Sequence, residues 1–406
     1  MDHCTATTVT RAAPAGTLPP RASFLLLASI TASFLAGSLA PTPLYPVYQA
    51  EWGFSALTTT EIFGIYALAL LGSLLVAGRL SDHVGRRPVL IVATLVQAVV
   101  MLMFATADGV GALLLARVVQ GLATGAALGA VGAGMLDLDK ARGAVANAVT
   151  PPIGTGAGGL LAGLFVHYLP APTLLVYFVL ATVFVLQAVG VVFMAETVTR
   201  RAGAVASLKP QFGLPAAARG PMLVAVPALV AAWSLAGFYA SLIPALIRSV
   251  FGFDPSLASG IAAFAFAGSG ATTVLALTSR APRLVMAYGA FALIAGTAAA
   301  MGALGARSGE SFFFATALAG SGFGAGFQGA MRTVLPTAEA HERAGVLSVV
   351  FVVSYLAMGV PAVVAGFFVS HGGALLPIAQ HFGAVVVGLA AFALLGTLTG
   401  RTLRAD

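Results

Sequence analysis

Long apolar runs separated by short polar segments dominate the chain. A helix needs about 20 apolar residues to cross a hydrocarbon core of ~30 Å, and each run is long enough. A backbone in lipid must satisfy its own hydrogen bonds, which favours helices. A barrel strand would alternate, and the run 221–240 does not. The pattern predicts an all-α membrane protein with twelve spans, at roughly 23–46, 57–77, 88–107, 110–134, 144–168, 171–195, 221–246, 256–278, 284–304, 312–335, 345–370 and 377–398.

The composition supports this prediction. Hydrophobic residues make up 59% of the 406 residues and charged residues only 8%, against about 25% charged in an ordinary soluble domain. So few charges cannot cover a water-facing surface, which excludes a soluble enzyme. The net charge is +7, but the basic residues form no clustered face, so nucleic acid is not an expected partner. The single cysteine, Cys4, excludes an internal disulfide.

The placement of the basic residues predicts the orientation, because cytoplasmic loops are enriched in Lys and Arg. With the amino terminus in the cytoplasm, 17 of the 20 basic residues lie on the cytoplasmic side. Arg248 and Arg307 lie outside, and Arg117 lies within the fourth span. Both termini are therefore expected in the cytoplasm, and the short loops favour a prokaryotic inner membrane. The alternative is that the first run is a signal peptide cleaved after residue 40, which would leave eleven spans and upset this asymmetry.

The chain divides into two similar halves. We expect a disordered cytoplasmic tail over 1–21, a six-helix bundle over 22–195, a basic cytoplasmic linker over 196–220, a second bundle over 221–400 and a cytoplasmic tail over 401–406. Equal halves suggest an internal repeat, which is common in secondary transporters. Two short matches support the repeat. Residues 113–117, with Gly121 and Gly125, parallel residues 312–316, with Gly320 and Gly324, and residues 86–90 parallel residues 280–284.

The loop between the second and third spans carries the most specific motif. It contains Gly78, Asp82, Gly85, Arg86 and Arg87 in the pattern G-x-L-S-D-x-x-G-R-R. Gly85 allows a turn conformation that other residues resist, and Asp82 is an acceptor for arginines. The loop resembles the signature G-x-L-[SA]-D-x-x-G-R-[RK] of the major facilitator superfamily. The resemblance implies a conformational latch that holds the two halves together in the outward-facing state.

The fourth span carries Arg117 and Gln120 in an R-x-x-Q-G pattern that is similar to the fourth-helix motif of the same family. Burying an arginine in a membrane costs about 2.5–3.5 kcal/mol on insertion scales, so a polar cavity or partner is expected beside Arg117. The resemblance implies a role in proton transfer or substrate binding. Gly121 and Gly125 lie on one helical stripe, where a second helix can approach closely.

Glu61 is the only acidic residue that plausibly enters a span, near the outer end of the second. One interpretation is an ion pair with Arg117 that opens during transport. The other is a capping box, Thr58-x-x-Glu61, at a helix start. The residues leave both interpretations open.

The fifth span is rich in glycine, with Gly154, Gly158 and Gly159. It is similar to the G-P-x-x-G-G signature of the proton antiporters of the family, but Thr155 stands where proline belongs. Simple close packing of small residues is the alternative.

The first span ends in prolines beside Tyr45, which suggests either a cavity mouth or an interfacial tyrosine. Further polar or aromatic candidates for cavity contacts are Asn147, Trp233, Tyr239, Gln328 and Tyr355.

The resemblance implies two six-helix bundles related by a pseudo-two-fold axis, which expose a central site to each side in turn. We expect a monomeric secondary transporter in contact with lipid, which exports a small, partly apolar molecule in exchange for protons. The alternatives are uptake or facilitated passage of a small metabolite and, more remotely, a polytopic membrane enzyme.

Neither lysine follows a glycine, so the chain has no P-loop. The six histidines show no metal-ligand spacing, and no cofactor is expected.

Overall fold

In the computed structural model, residues 17–339 and 341–399 are described, and no strand occurs among them. The predicted carboxyl-terminal tail, and all but a few residues of the amino-terminal one, lie outside this range. Twelve long helices follow one another along the chain. They are α1 Pro20–Leu39, α2 Ala56–Ala77, α3 Arg86–Ala105, α4 Val110–Leu138, α5 Lys140–Tyr168, α6 Pro172–Val192, α7 Ala216–Ser241, α8 Pro255–Ala276, α9 Pro282–Gly305, α10 Gly309–Val334, α11 Arg343–Ser370 and α12 Leu375–Leu398.

These helices confirm the predicted all-α fold and its twelve spans. Eleven of the helices in the described chain are long and apolar enough to cross a membrane. The remaining helix, α10, is of similar length, but its many glycines lower its mean hydropathy. The first predicted span is interrupted after Leu39 by a 3₁₀ turn, Thr42–Leu44, and continues as a short helix, Tyr45–Trp52. Prolines at 41, 43 and 46 lack the backbone N–H that a continuous helix requires.

The two halves meet along two seams, α2 against α11 and α5 against α8. The seams use corresponding positions, as a pseudo-two-fold axis requires. Gly359 of α11 lies against Gly64 of α2, and Gly156 of α5 lies against Ala263 of α8. The absence of a Cβ at these glycines lets the helix backbones approach closely.

A second correspondence lies at the start of α2 and α8. Gly53 precedes α2 with a φ of 67°, and Gly252 precedes α8 with a φ of 70°. Each glycine ends a short helix in a left-handed conformation, which glycine adopts without steric cost. The turn is thus repeated at an interval of 199 residues, which is also the interval between residues 113–117 and 312–316.

The polar contacts that join the halves lie toward one end of the bundle. We call this end the distal face, and the opposite end, where the linker lies, the linker face. On the distal face the Thr42 hydroxyl donates to the Ala240 carbonyl at 2.9 Å. The Leu57 amide donates to the Ser370 hydroxyl at 2.9 Å, and His167 of α5 lies 3.6 Å from the carboxylate of Asp254, which caps α8. The distal face is therefore closed.

Candidate functional site

The loop between α2 and α3 folds into a compact charged network. A four-residue helix, Ser81–Val84, ends at Gly85, whose φ of 104° is in the left-handed region. The Arg86 side chain is only 5% exposed. It donates to the Ser81 hydroxyl at 2.6 Å, to the Asp82 carboxylate and to the Asp137 carboxylate of α4 at 3.3 Å. These partners of Arg86 all lie within the first half, so they do not bridge the halves in this arrangement with a closed distal face.

Glu196, directly after α6, completes the same network. Its carboxylate accepts from the backbone amides of Arg86 at 2.9 Å and Arg87 at 3.1 Å. A negative charge at these free amides stabilises the start of α3. The Arg87 guanidinium in turn donates to the carbonyls of Val191 and Val192 at the end of α6. Sequence reasoning missed Asp137 and Glu196 as partners, because they lie 51 and 110 residues from Arg86 and no spacing rule connects them.

Arg117 is fully buried in the first half, at 0% exposure. Its guanidinium donates at 2.7 Å to the Ser38 carbonyl, the Gln120 side-chain oxygen and the Tyr45 hydroxyl. The Gln120 amide donates to the Gly37 carbonyl at 2.9 Å and so is fixed on α1. All these partners are neutral. Within the described chain, no carboxylate lies within 4 Å of Arg117.

Aromatic rings surround the charge. The Arg117 guanidinium carbon lies 5.3 Å from the Tyr66 ring centre, 5.6 Å from that of Phe104 and 6.0 Å from that of Tyr45. The negative face of an aromatic ring attracts a cation, and the attraction is stronger where water is excluded. The Arg117 Nε nevertheless has no hydrogen-bond partner among the described atoms. The Tyr66 hydroxyl makes no hydrogen bond within 3.5 Å, and its nearest polar neighbours are the hydroxyl groups of Ser38 and Thr124.

Glu61 and Arg117 lie apart in this conformation. The Glu61 side chain is exposed on α2, whereas Arg117 is buried, and the two form no ion pair here. The capping box is wrong, because α2 begins one turn earlier than Thr58. Ser55 is the N-cap and accepts from the Thr58 amide at 3.2 Å.

The predicted packing glycines lie at close helix contacts. Gly121 and Gly125 of α4 face the α2 backbone, where a Cβ would lie 2.7 Å from the Tyr66 carbonyl and 2.5 Å from the Leu70 carbonyl. Gly154 and Gly158 of α5 lie against the α1 backbone, and Gly159 faces Ala263 of α8 across a seam. Gly78 lies against Gly129 of α4. Close approach, which the sequence offered as the alternative to an antiporter motif, accounts for these contacts.

The predicted cavity contacts do not converge on one place. Tyr45 is buried beside Arg117 rather than at an interface with water. The Asn147 amide donates to the Gly132 carbonyl at 2.9 Å within the first half. The Gln328 amide donates to the Val274 carbonyl at 3.1 Å. The Tyr239 hydroxyl is hydrogen-bonded to Thr316 at 2.8 Å in the second half, beside a cavity of about 30 Å³.

Trp233 and Tyr355 come together with Tyr66, which sequence reasoning missed. Tyr66 and Tyr355 belong to one buried cluster between the halves, and Trp233 packs against it. The Trp233 and Tyr355 ring centres are 5.2 Å apart, and Trp233 also contacts Phe323 and Phe327 at 5.6 Å. We call Tyr66, Trp233 and Tyr355 the boundary group. It lies where a central site between two moving halves is expected, with Arg117 directly behind Tyr66.

Comparisons with known proteins agree with this architecture. The family model described as Major Facilitator Superfamily matches residues 25–362. No curated protein matches the sequence. The solved structures that share the fold include two transporters. The nucleoside transporter NupG, in a mutant form, has 15% identity and a TM-score of 0.71 over 92% of this chain and 99% of its own. A bacterial homolog of the human lysosomal transporter Spinster, in an inward-facing and unoccupied conformation, has 14% identity and a TM-score of 0.74 over 95% of this chain and 98% of its own.

Proposed function

The chain belongs to the major facilitator superfamily, and we propose that it exports a small, partly apolar molecule in exchange for protons. The single observation that carries the proposal is the arrangement of the halves. They are joined by polar contacts on the distal face, whereas the charged loop of the linker face has its partners within the first half. This is the arrangement expected of one end state of an alternating-access cycle.

The boundary group supports a partly apolar substrate. It offers aromatic faces from both halves, with polar atoms at only a few positions. Ligand sites of this kind bury apolar surface on hydrophobic walls and fix orientation with a few polar groups. We propose that the linker face, which carries the excess of basic residues, faces the cytoplasm together with both termini, and that the membrane is a prokaryotic inner membrane. The proposed working unit is the monomer.

A second candidate, facilitated passage, is favoured by the position of the carboxylates, because proton-coupled uptake needs a protonatable group inside the membrane as much as proton antiport does. Within the twelve long helices, acidic residues occur only at Glu61, Asp137 and Glu310. Each lies within two turns of a helix end, and none contacts Arg117. An antiporter that exchanges cations for protons needs a group that releases a proton inside the membrane, and a buried carboxylate is the usual choice. The described helices provide no such carboxylate at mid-depth.

A flux assay in proteoliposomes separates these functions. Vesicles with an acidic interior are diluted into neutral buffer that contains a panel of fluorescent apolar dyes. Proton antiport predicts accumulation of a dye that a protonophore abolishes. Equilibration at the same rate with and without the pH gradient identifies facilitated passage. If no compound in the panel crosses faster than in protein-free vesicles, the proposed export of partly apolar molecules is wrong.

A further inference from the structure

One cation in the described membrane-spanning helices, Arg117, is buried without a counter-ion. Arg117 is a cation at 0% exposure, and its partners on the described helices are two neutral side chains and one carbonyl. A buried charge without a counter-ion is costly, even where hydrogen bonds and aromatic rings offset part of that cost. The pseudo-symmetric position in the second half is Thr316, which is satisfied by Tyr239. The site therefore carries one positive charge, contributed by the first half.

Three polar atoms at Arg117 and in the boundary group can donate hydrogen bonds that are not made in this structure. The Arg117 Nε–H, the Tyr66 hydroxyl and the Trp233 Nε1–H are buried and make no hydrogen bond to the described atoms. Guanidinium and indole nitrogens only donate, and a phenol hydroxyl donates or accepts. An unmade bond of a buried donor costs free energy. The complementary molecule therefore brings acceptors, and a negative charge would serve both the donors and the guanidinium.

These donors are connected through the boundary group. Tyr66 lies over the Arg117 guanidinium on one side and shares a buried cluster with Tyr355 on the other. Tyr355 in turn contacts Trp233, which extends the aromatic surface to Phe327. A molecule between the halves would thus meet aromatic faces along its body and donors from both halves.

We propose that the transported molecule is a small organic anion with an aromatic or apolar body, recognised by Tyr66 and Trp233 and neutralised by Arg117. The loaded site is then close to neutral and the empty site carries +1. This inference rests on the proposed transport function and narrows its substrate class.

Binding to the purified full-length protein tests the substrate class without requiring flux. The chain has two tryptophans, and Trp52 stacks on Tyr48 away from the boundary group. A Trp52→Phe background therefore leaves Trp233 as the only indole reporter. The probes are benzenesulfonate and its neutral analogue benzenesulfonamide, which share the aromatic body and differ in charge. We expect a saturable change of Trp233 emission with the sulfonate and a much weaker response with the sulfonamide.

Two variants connect the response to the named groups. Tyr66→Phe removes a hydroxyl that makes no hydrogen bond within 3.5 Å, and the neighbouring Ser38 and Thr124 hydroxyls keep their own bonds to backbone carbonyls. The fold should therefore be kept, and sulfonate affinity should fall by about tenfold, as for one lost hydrogen bond to a charged group. Arg117→Gln should abolish the preference for the anion. The matched control is Tyr288→Phe, because Tyr288 lies on α9 with its hydroxyl near Ser321, outside the boundary group, and should bind as the background does.

The outcomes separate this inference from the proposed function. Equal or tighter binding of the sulfonamide, no saturable response to the sulfonate, or unchanged affinity in Tyr66→Phe would overturn the anion assignment. If a neutral dye is transported while the sulfonate does not bind, the proposed function stands and the substrate class is wrong. If the sulfonate binds as expected but no compound is transported, the anion site stands and the transport proposal is wrong.

Discussion

Gly260 of α8 gives a sharp test of how the distal face closes. It lies in the seam against α5, where an added Cβ would be 2.6 Å from the Gly159 carbonyl oxygen and 3.3 Å from the Leu160 Cα. These neighbours are backbone atoms, so no side chain can rotate away. A Gly260→Ala variant must separate the two helices by about 1 Å to reach normal contact distances.

The cost of this substitution falls mainly on the closed arrangement. Overpacking of a close contact typically costs about 1–3 kcal/mol. If the halves separate at the distal face in the other conformation, the contact is absent there and the cost is not incurred. The equilibrium should then move toward the open distal face by about 5- to 150-fold, the factor that corresponds to this energy.

A buried cysteine in the other seam reports the shift. Thr60 of α2 is 0% exposed and packs against Gly366 of α11, on the opposite side of the interface from Gly260. In a Cys4→Ser, Thr60→Cys background, the rate of labelling by a membrane-impermeant maleimide follows the open population. We expect Gly260→Ala to raise this rate by the factor given above.

The control variant is Gly268→Ala on the same helix. A Cβ there meets nothing nearer than the Phe264 ring at 4.0 Å. Gly268→Ala should therefore label at the background rate. Equal labelling of the Gly260 and Gly268 variants would refute the reasoning, and so would a rise in labelling that is fully explained by loss of folded protein.

Three further predictions concern the charged residues. Asp82→Asn removes the charge that holds Arg86 and should slow transport without reducing membrane insertion, as measured by flux per inserted protein; full activity would contradict the role given to the loop. Glu196→Ala removes the carboxylate at the start of α3 and should destabilise the protein by about 1 kcal/mol, as for a lost helix cap. A lower melting temperature in detergent would support this capping role, and an unchanged melting temperature would exclude it. Glu61→Gln should transport like the parent protein, because the exposed Glu61 side chain has no partner in the described chain; a large loss of flux would mean that Glu61 carries protons.

The fold was predictable because span length and basic-residue placement are properties of local sequence. Even α10, whose glycines lower its hydropathy, was found from the apolar run 312–335. The repeat of residues 113–117 at 312–316 predicts the correspondence of α4 and α10. The structure adds a correspondence of α2 and α8 at the same interval of 199 residues, because Gly53 precedes α2 and Gly252 precedes α8.

The partners of the site residues were less predictable. The sequence placed Arg117 within a span, but the face of α4 that carries it is set by tertiary packing, so Tyr66 and Phe104 could not be identified as its neighbours. Glu61 was misassigned because the helix start lies one turn earlier than the capping pattern suggested, at Ser55. A local pattern identifies a cap only when the true first residue is known.

Distances between the halves on both faces test the central claim of alternating access most directly. Spin labels at Glu51 and His371 report the distal face, and labels at Ala141 and Ala344, at the starts of α5 and α11, report the linker face. Measured with and without a transported substrate, the two distances should change in opposite directions, so that a population with a longer distal distance has a shorter one at the linker face. Distances that stay fixed under all conditions, or that lengthen and shorten together, would contradict the account.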